Sequence, residues 1–113
     1  MGTLSYSPDT QPITVDDRLL QYLQVVLSTS IRRGESFTLT WTDEAAGHAR
    51  TTLWIHPSIS MRFEYTAIAS APLSGGYLRQ LADQAATSSG LSLNAATWRQ
   101  NEDAHRVHLL AAA

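Results

Sequence analysis

The 113-residue chain contains no cysteine and no lysine. Without a thiol it can form no disulfide framework, no thiolate nucleophile and none of the cysteine-based structural zinc sites. Without a side-chain primary amine it cannot form a Schiff base or a lysyl-adenylate, and it cannot place a P-loop lysine on a nucleotide. These two absences exclude several large classes of enzyme before any motif is considered.

Long hydrophobic runs are also missing. No segment approaches the roughly 18 apolar residues of a membrane-spanning helix, and the first residues lack the basic and then apolar pattern of a secretory signal. We therefore expect a cytoplasmic protein without a membrane partner. The formal net charge of -2 makes nucleic acid an unfavoured partner, because no strong positive field would attract phosphates.

The beginning of the chain shows the period-two pattern of β-strands. Leu4 and Tyr6, and then Ile13 and Val15, alternate with polar residues on either side of a segment that contains a Pro-Asp pair. Such a pair is typical of a turn, so the pattern predicts a β-hairpin.

The clearest pattern is an amphipathic helix that follows this hairpin. Asp16 or Asp17 can cap its first turn, and Gly34 can adopt the left-handed conformation that ends it. Its apolar residues recur at the spacing of one helical face; they are Leu19, Leu20, Leu23, Val26, Leu27 and Ile31.

Three alternating segments, 37–42, 51–56 and 61–66, predict a three-stranded antiparallel sheet after the helix. In its second hairpin, a loop at 58–60 sets the register of the two strands. The predicted inward pairs are Ile55 with Phe63 and Leu53 with Tyr65, and the predicted outward pairs are Trp54 with Glu64 and His56 with Arg62.

A second, weaker helical pattern spans 77–85, and a short last strand is predicted at 91–93. We expect one α+β domain over residues 1–95, in which a mostly antiparallel β-sheet has one face covered by two helices, in the order ββαβββαβ. Residues 96–113 are interpreted as a C-terminal extension that packs on this domain or trails from it.

Some polar and aromatic side chains are left on the outer face of the predicted sheet after the core is assigned. These candidate binding residues are Trp54, His56, Arg62 and Glu64. Arg62 would lie diagonal to Trp54, within reach of a cation–π contact. Large apolar side chains gathered on a surface tend to mark contacts. The alternative is that Trp54 packs beneath a loop, the tail or the second helix.

The arginines allow a second interpretation. Arg32 and Arg33 could bind a phosphate or a carboxylate, and together with Arg18 and Arg62 they could contact nucleic acid. The structural explanation for Arg32 and Arg33 is simpler, because the carbonyl end of a helix favours cations in any case.

Motifs for catalysis or metal binding are scarce. His56 with Glu64 could serve a small enzyme, but this needs a concave pocket, which a flat sheet face does not provide. His105 and His108, with two acidic residues just before them, have the atoms to bind a divalent metal, but no other cluster supplies further ligands. We predict no catalytic residues, no metal site and no cofactor.

Several stretches of the chain resemble a known family; they are residues 1–6, 16–20, 23–26, 32–37 (Arg-Arg-Gly-Glu-Ser-Phe) and 54–59 (Trp-Ile-His-Pro-Ser-Ile), together with Trp41. The family consists of short actinobacterial proteins of unknown function, whose members often carry the label "ATP-dependent DNA ligase". The resemblance covers roughly residues 1–95 and implies no established catalytic residues.

The ligase label can be tested against the residues. Such ligases attack ATP with the lysine of a K-x-D-G motif, and this chain has neither the motif nor any lysine. It is also too short for a nucleotidyltransferase domain and its partner domain. We therefore exclude ligase activity and expect a non-catalytic module that binds a protein partner or a second copy of itself.

Overall fold

The computed structural model of the chain describes residues 2–6, 11–43, 49–67 and 72–94. Two helices and six strands follow one another in the predicted order, which confirms the α+β class. They are β1 (Gly2–Tyr6), β2 (Ile13–Val15), α1 (Asp17–Arg32), β3 (Phe37–Asp43), β4 (Ala49–Ile55), β5 (Met61–Glu64), α2 (Gly75–Ala85) and β6 (Leu91–Asn94). The predicted extension at 96–113 lies outside the described residues.

The six strands form two sheets, each of three strands, where the sequence predicted one. The chain accordingly divides into two compact units. The first unit comprises Met1–Ser36 and Ile55–Leu73, and its sheet has the strand order β2-β1-β5. The second unit comprises Phe37–Trp54 and Ser74–Ala113, and its sheet has the order β4-β3-β6.

In the first unit, β1 is the central strand and pairs antiparallel with both neighbours. Leu4 lies opposite Ile13 of β2 and opposite Phe63 of β5. α1 packs against β1. Gly2 makes this packing possible, because a Cβ atom there would lie 2.7 Å from the Leu20 side chain and 2.6 Å from the Glu64 carbonyl oxygen.

α1 is formed as its sequence predicts. The Asp16 carboxylate accepts a hydrogen bond of 2.9 Å from the Arg18 backbone N–H and caps the helix. After the last turn, Gly34 has a φ of 71°, a conformation that favours glycine. The side chains that α1 buries are Leu19, Leu20, Tyr22, Leu23, Val26 and Leu27.

The predicted second hairpin, with β4 beside β5, is wrong. The turn between these strands is present, since the His56 carbonyl accepts a hydrogen bond of 3.1 Å from the Ile59 N–H, but it connects strands of different sheets. Alternation determines which side chains of a strand face a core, but it does not determine which strand becomes the neighbour. Phe63 therefore finds its apolar partner in Leu4 of β1 rather than in Ile55.

In the second unit, β3 is central and pairs in parallel with β6, with Leu39 beside Leu91. α2 packs on both strands and buries Leu81 among other side chains. Ser74 caps this helix, because its hydroxyl oxygen accepts a hydrogen bond of 3.3 Å from the Tyr77 N–H. The predicted last strand at 91–93 is confirmed as β6.

Candidate functional site

The outer face of the second sheet carries the most distinctive surface in the described part of the chain. Thr40 lies beside Ser92 of β6, and its hydroxyl oxygen lies 3.1 Å from that of Thr52 on β4. Since side chains two residues apart point to the same side of a strand, the outward residues can be assigned. This surface, the Trp54 face, consists of Thr38, Thr40, Thr42, Arg50, Thr52, Trp54, Ser92 and Asn94.

Trp54 is the one large aromatic side chain on this face, and it is 57% exposed. The next residue, Ile55, points to the other side of β4 and is fully buried. Strand alternation thus turns the indole to the outer face of the second sheet, where more than half of its surface is exposed. Tryptophan is enriched at protein interfaces, where one end of its side chain is apolar and the other can hydrogen-bond.

The polar groups of the Trp54 face are mostly hydroxyls. The Thr38 hydroxyl donates to the Ser89 carbonyl oxygen at 3.4 Å, and the hydroxyls of Thr40 and Thr52 are within hydrogen-bond distance of each other. Arg50 is the one charged residue among those assigned to the Trp54 face, and this set contains no carboxylate. This arrangement offers hydrogen bonds and an apolar ring, and it holds no acid–base pair for catalysis.

Arg62 and Glu64, two of the predicted binding residues, lie on β5 and thus in the other sheet. The predicted position of Arg62 diagonal to Trp54 is therefore wrong. Arg62 lies opposite Ser5 of β1, and its guanidinium is 3.5 Å from the Glu64 carboxylate, with both side chains largely exposed. Exposed ion pairs of this kind are worth about 0–1 kcal/mol.

His56 lies in the turn that follows β4 and is not one of the strand residues assigned to the Trp54 face. Its Nδ1 accepts a hydrogen bond of 3.1 Å from the Ser58 backbone N–H and is 2.7 Å from the Ser58 hydroxyl oxygen. The ring therefore stabilises the turn, and the predicted pairing of His56 with Arg62 does not form.

The arginines proposed for nucleic acid are dispersed within the first unit. Arg18 donates to the Pro72 carbonyl oxygen at 2.8 Å and lies over the Tyr22 ring. Arg32 is exposed at the other end of the 16-residue α1, roughly 20 Å away. Arg33 is 3.9 Å from the Glu35 carboxylate. Along the helix, these arginines do not form one continuous patch.

Asp17 has a role that the sequence did not reveal. Capping was predicted for Asp16 or Asp17, and Asp16 performs it, whereas the Asp17 carboxylate accepts hydrogen bonds of 3.1 Å from the N–H groups of Thr66 and Ala67. Burial acts to raise the pKa of Asp17, but these donors act in the opposite direction and the net pKa is lowered. Asp17 thereby holds the segment after β5 to the start of α1.

Tyr65 joins the same segment to α1. Its hydroxyl donates to the Gln24 side-chain oxygen at 2.5 Å and lies 3.2 Å from the Leu20 carbonyl oxygen. Burial, and then the charge of Asp17, raise the pKa of Tyr65. No spacing in the sequence marks these long-range contacts, which stabilise the fold.

No group of three or more histidine, aspartate or glutamate side chains suited to a metal occurs in the ranges that the structure describes. His105 and His108 lie outside those ranges. A shallow depression of about 420 Å³ runs along α2, and its lining includes neither His56 nor Glu64. Neither of the two helices is long and apolar enough to cross a membrane in the described part of the chain.

The chain can be placed in a family. A family model described as a domain of unknown function matches residues 1–96. The chain belongs to the DUF7882 family. Comparison with curated proteins and with solved structures finds no match. The DUF7882 description indicates no catalytic family, so a proposal about function has to come from the surface itself.

Proposed function

We propose that this DUF7882 protein is a non-catalytic binding module whose Trp54 face contacts a protein partner or a second copy of the chain. The observation that supports the proposal is the 57% exposure of the Trp54 side chain on a sheet face of hydroxyl-bearing residues. His56, Arg62 and Glu64, which the sequence grouped with Trp54, are not required, because the second sheet does not contain them.

The composition of this face suits binding rather than chemistry. A tryptophan buries a large area on contact and has few rotatable bonds to immobilise, so it is enriched among the residues that dominate binding energy. The surrounding threonines are short and β-branched, so their χ1 angles are already restricted in the unbound protein and little side-chain entropy is lost on binding. Their hydroxyls can donate or accept, so a partner's polar groups need not be left unpaired at the rim.

The decisive variant is Trp54→Ala, with Val25→Ala as its matched control. Val25, on α1, is the other large apolar side chain exposed in the described part of the chain, at 43%. Truncating a central interface tryptophan typically costs about 2 kcal/mol or more. We therefore expect Trp54→Ala to weaken association about 30-fold, while Val25→Ala associates like the wild type.

The measurement combines sedimentation equilibrium for self-association with affinity capture from the source organism for other partners, using the three proteins in parallel. Near-identical urea unfolding of wild type and Trp54→Ala would show that loss of binding is not loss of folding. If Trp54→Ala retains every association of the wild type, the proposal is wrong. Binding of labelled DNA or RNA at low salt would instead favour the nucleic-acid alternative.

The sequence makes three finer predictions that go with this proposal. They are an actinobacterial source with a mistaken ligase label in its relatives, a cytoplasmic location, and the absence of any enzymatic activity. A ligase assay with nicked DNA and ATP tests the last of these most directly, and we expect no product above the background without protein.

A further inference from the structure

β4 is an edge strand of unusual length for this protein. In the described part of the chain its neighbour is β3, and its other side has no partner strand. β4 has seven residues, whereas the other terminal strands, β2, β5 and β6, have three, four and four. Short edge strands resist pairing with another chain, and a long one is a template for it.

The sequence of β4 does nothing to prevent such pairing. From Ala49 to Ile55 it contains no proline and no lysine, which are common means of protecting an edge, and its single charge is on Arg50. Most of its residues are β-branched or aromatic, and these favour extended strands.

β4 is also complementary to itself. When two copies pair antiparallel about a two-fold axis at Thr52, Arg50 of one copy lies directly opposite Trp54 of the other. Both side chains are exposed and point to the same side of the sheet. A guanidinium beside an indole is a favourable cation–π pair, and the axis produces this pair twice.

Other registers lack this complementarity. With the axis at Thr51, Arg50 would lie opposite Thr52, and with the axis at Leu53, Trp54 would lie opposite Thr52. In both of these registers, Arg50 of one copy no longer lies opposite Trp54 of the other, so the cation–π pair is lost. A pairing in which one copy is flipped would join the outer face of one sheet to the inner face of the other. Such a pairing would expose apolar core residues and is therefore disfavoured.

From this length, composition and complementarity, we infer that the partner of the Trp54 face is a second copy of this chain, joined antiparallel along β4 about Thr52. The inference rests on the proposed function and specifies its partner. The dimer contains a continuous six-stranded sheet in the order β6-β3-β4-β4-β3-β6. Its outer face brings the two Trp54 residues and the two Arg50 residues together at the centre.

The absence of native cysteine provides a direct test. The axis places residue 52 opposite its own copy, where the two Cα atoms are about 4.5–5.5 Å apart, within the range that a disulfide spans. Thr42, on β3, lies on the same face, but its copy in the dimer is about three strand spacings away, roughly 14 Å. Thr52→Cys is therefore the test variant, and Thr42→Cys is the matched control.

Under mild oxidation at micromolar concentration, we expect Thr52→Cys to form a covalent dimer and Thr42→Cys to stay mostly monomeric. Sedimentation equilibrium of the cysteine-free chain gives a second readout. Arg50→Glu and Trp54→Ala should each raise the dimer Kd at least tenfold, and Val25→Ala should not.

The outcomes separate this inference from the broader proposal. A wild-type chain that stays monomeric at its solubility limit, or equal cross-linking at positions 42 and 52, overturns pairing along β4. If Trp54→Ala abolishes capture of another protein while the chain remains a monomer, the Trp54 face still binds and only its partner has been misassigned. If Trp54→Ala affects neither dimer nor capture, both proposals are wrong.

Discussion

The two units of this DUF7882 protein share a sheet plan but differ in the direction of one strand. Each sheet places its first strand in the centre, the next strand on one side, and a strand from later in the chain on the other. That returning strand is antiparallel in the first unit and parallel in the second. The same strand order therefore occurs with an antiparallel third strand in one unit and a parallel third strand in the other.

The two returning strands also differ in the element that directly precedes them. β6 follows α2, which packs on the sheet, and a helical crossover is the usual route to a parallel neighbour. β5 instead directly follows the tight turn that begins at His56, and the element before that turn is strand β4.

The outer faces of the two sheets differ as well. In the first unit, the exposed Arg62 and Glu64 pair with each other beside Ser5. In the second unit, the exposed Trp54 lies among hydroxyls, and Arg50, four residues earlier, lies on the same side of β4. The first face has internally matched charges, whereas the second presents an apolar ring. This difference is the reason why the proposed binding surface is the second face.

The largest expected effects come from truncating one core leucine in each unit. Leu20 of α1 and Leu81 of α2 are both almost completely buried, so each change to alanine should cost about 2–5 kcal/mol in the free energy of unfolding. We expect hydrogen exchange to accelerate first in the helix that carries the change. If Leu81→Ala accelerates hydrogen exchange in α1 as strongly as in α2, the two units unfold as one cooperative body.

A smaller, matched effect is expected at two glycines with similar left-handed conformations. Gly34 in the first unit has a φ of 71° and Gly90 in the second a φ of 75°. A Cβ atom at Gly34 meets no atom within 4 Å, whereas at Gly90 it would overlap the hydroxyl and carbonyl oxygens of Thr38. Alanine at Gly34 should therefore cost only the conformational strain, about 1 kcal/mol.

Alanine at Gly90 adds a steric overlap of about 1–3 kcal/mol to the same strain. Urea unfolding of Gly34→Ala, Gly90→Ala and the wild type measures both costs. Equal destabilisation by the two variants would contradict the close approach of Gly90 to Thr38 in the second sheet.

The smallest effect concerns pH and distinguishes the units chemically. Because the folded-state pKa of Asp17 is lowered below its unfolded value of about 3.9, the carboxylate stabilises the fold above that value. The stabilisation is lost as the pH falls through this value toward the folded-state pKa. In the second unit, α2 is capped by the Ser74 hydroxyl, which does not ionise in this range.

We therefore expect the amide signals of Thr66 and Ala67 to respond to acid before those around Ser74, and Asp17→Asn to remove that response. NMR titration from pH 6 to about pH 2 measures it, together with the urea midpoint at each pH. An Asp17→Asn variant with an unchanged acid dependence would show that these hydrogen bonds contribute nothing to stability.

Local patterns predicted the elements well because they depend on neighbouring residues. Helix α1, with its cap at Asp16 and its end at Gly34, follows from capping and periodicity over one short stretch. The sequence allowed Trp54 to be either exposed or packed beneath another segment. Strand alternation determines the side to which a side chain points, but it does not determine whether another segment covers that side. The grouping of Trp54 with Arg62 was wrong because it depended on which strands become neighbours.

By itself, the sequence determined the class of fold, the order of its elements, the exclusion of lysine and cysteine chemistry, and the apolar side of each strand. Only the tertiary structure decided that β5 pairs with β1, that the strands divide into two sheets, and that the exposed Trp54 and Arg62 belong to different sheets. The physical reason is that periodicity acts over a few residues, whereas strand pairing depends on apolar faces that are far apart in the chain and can match more than one partner.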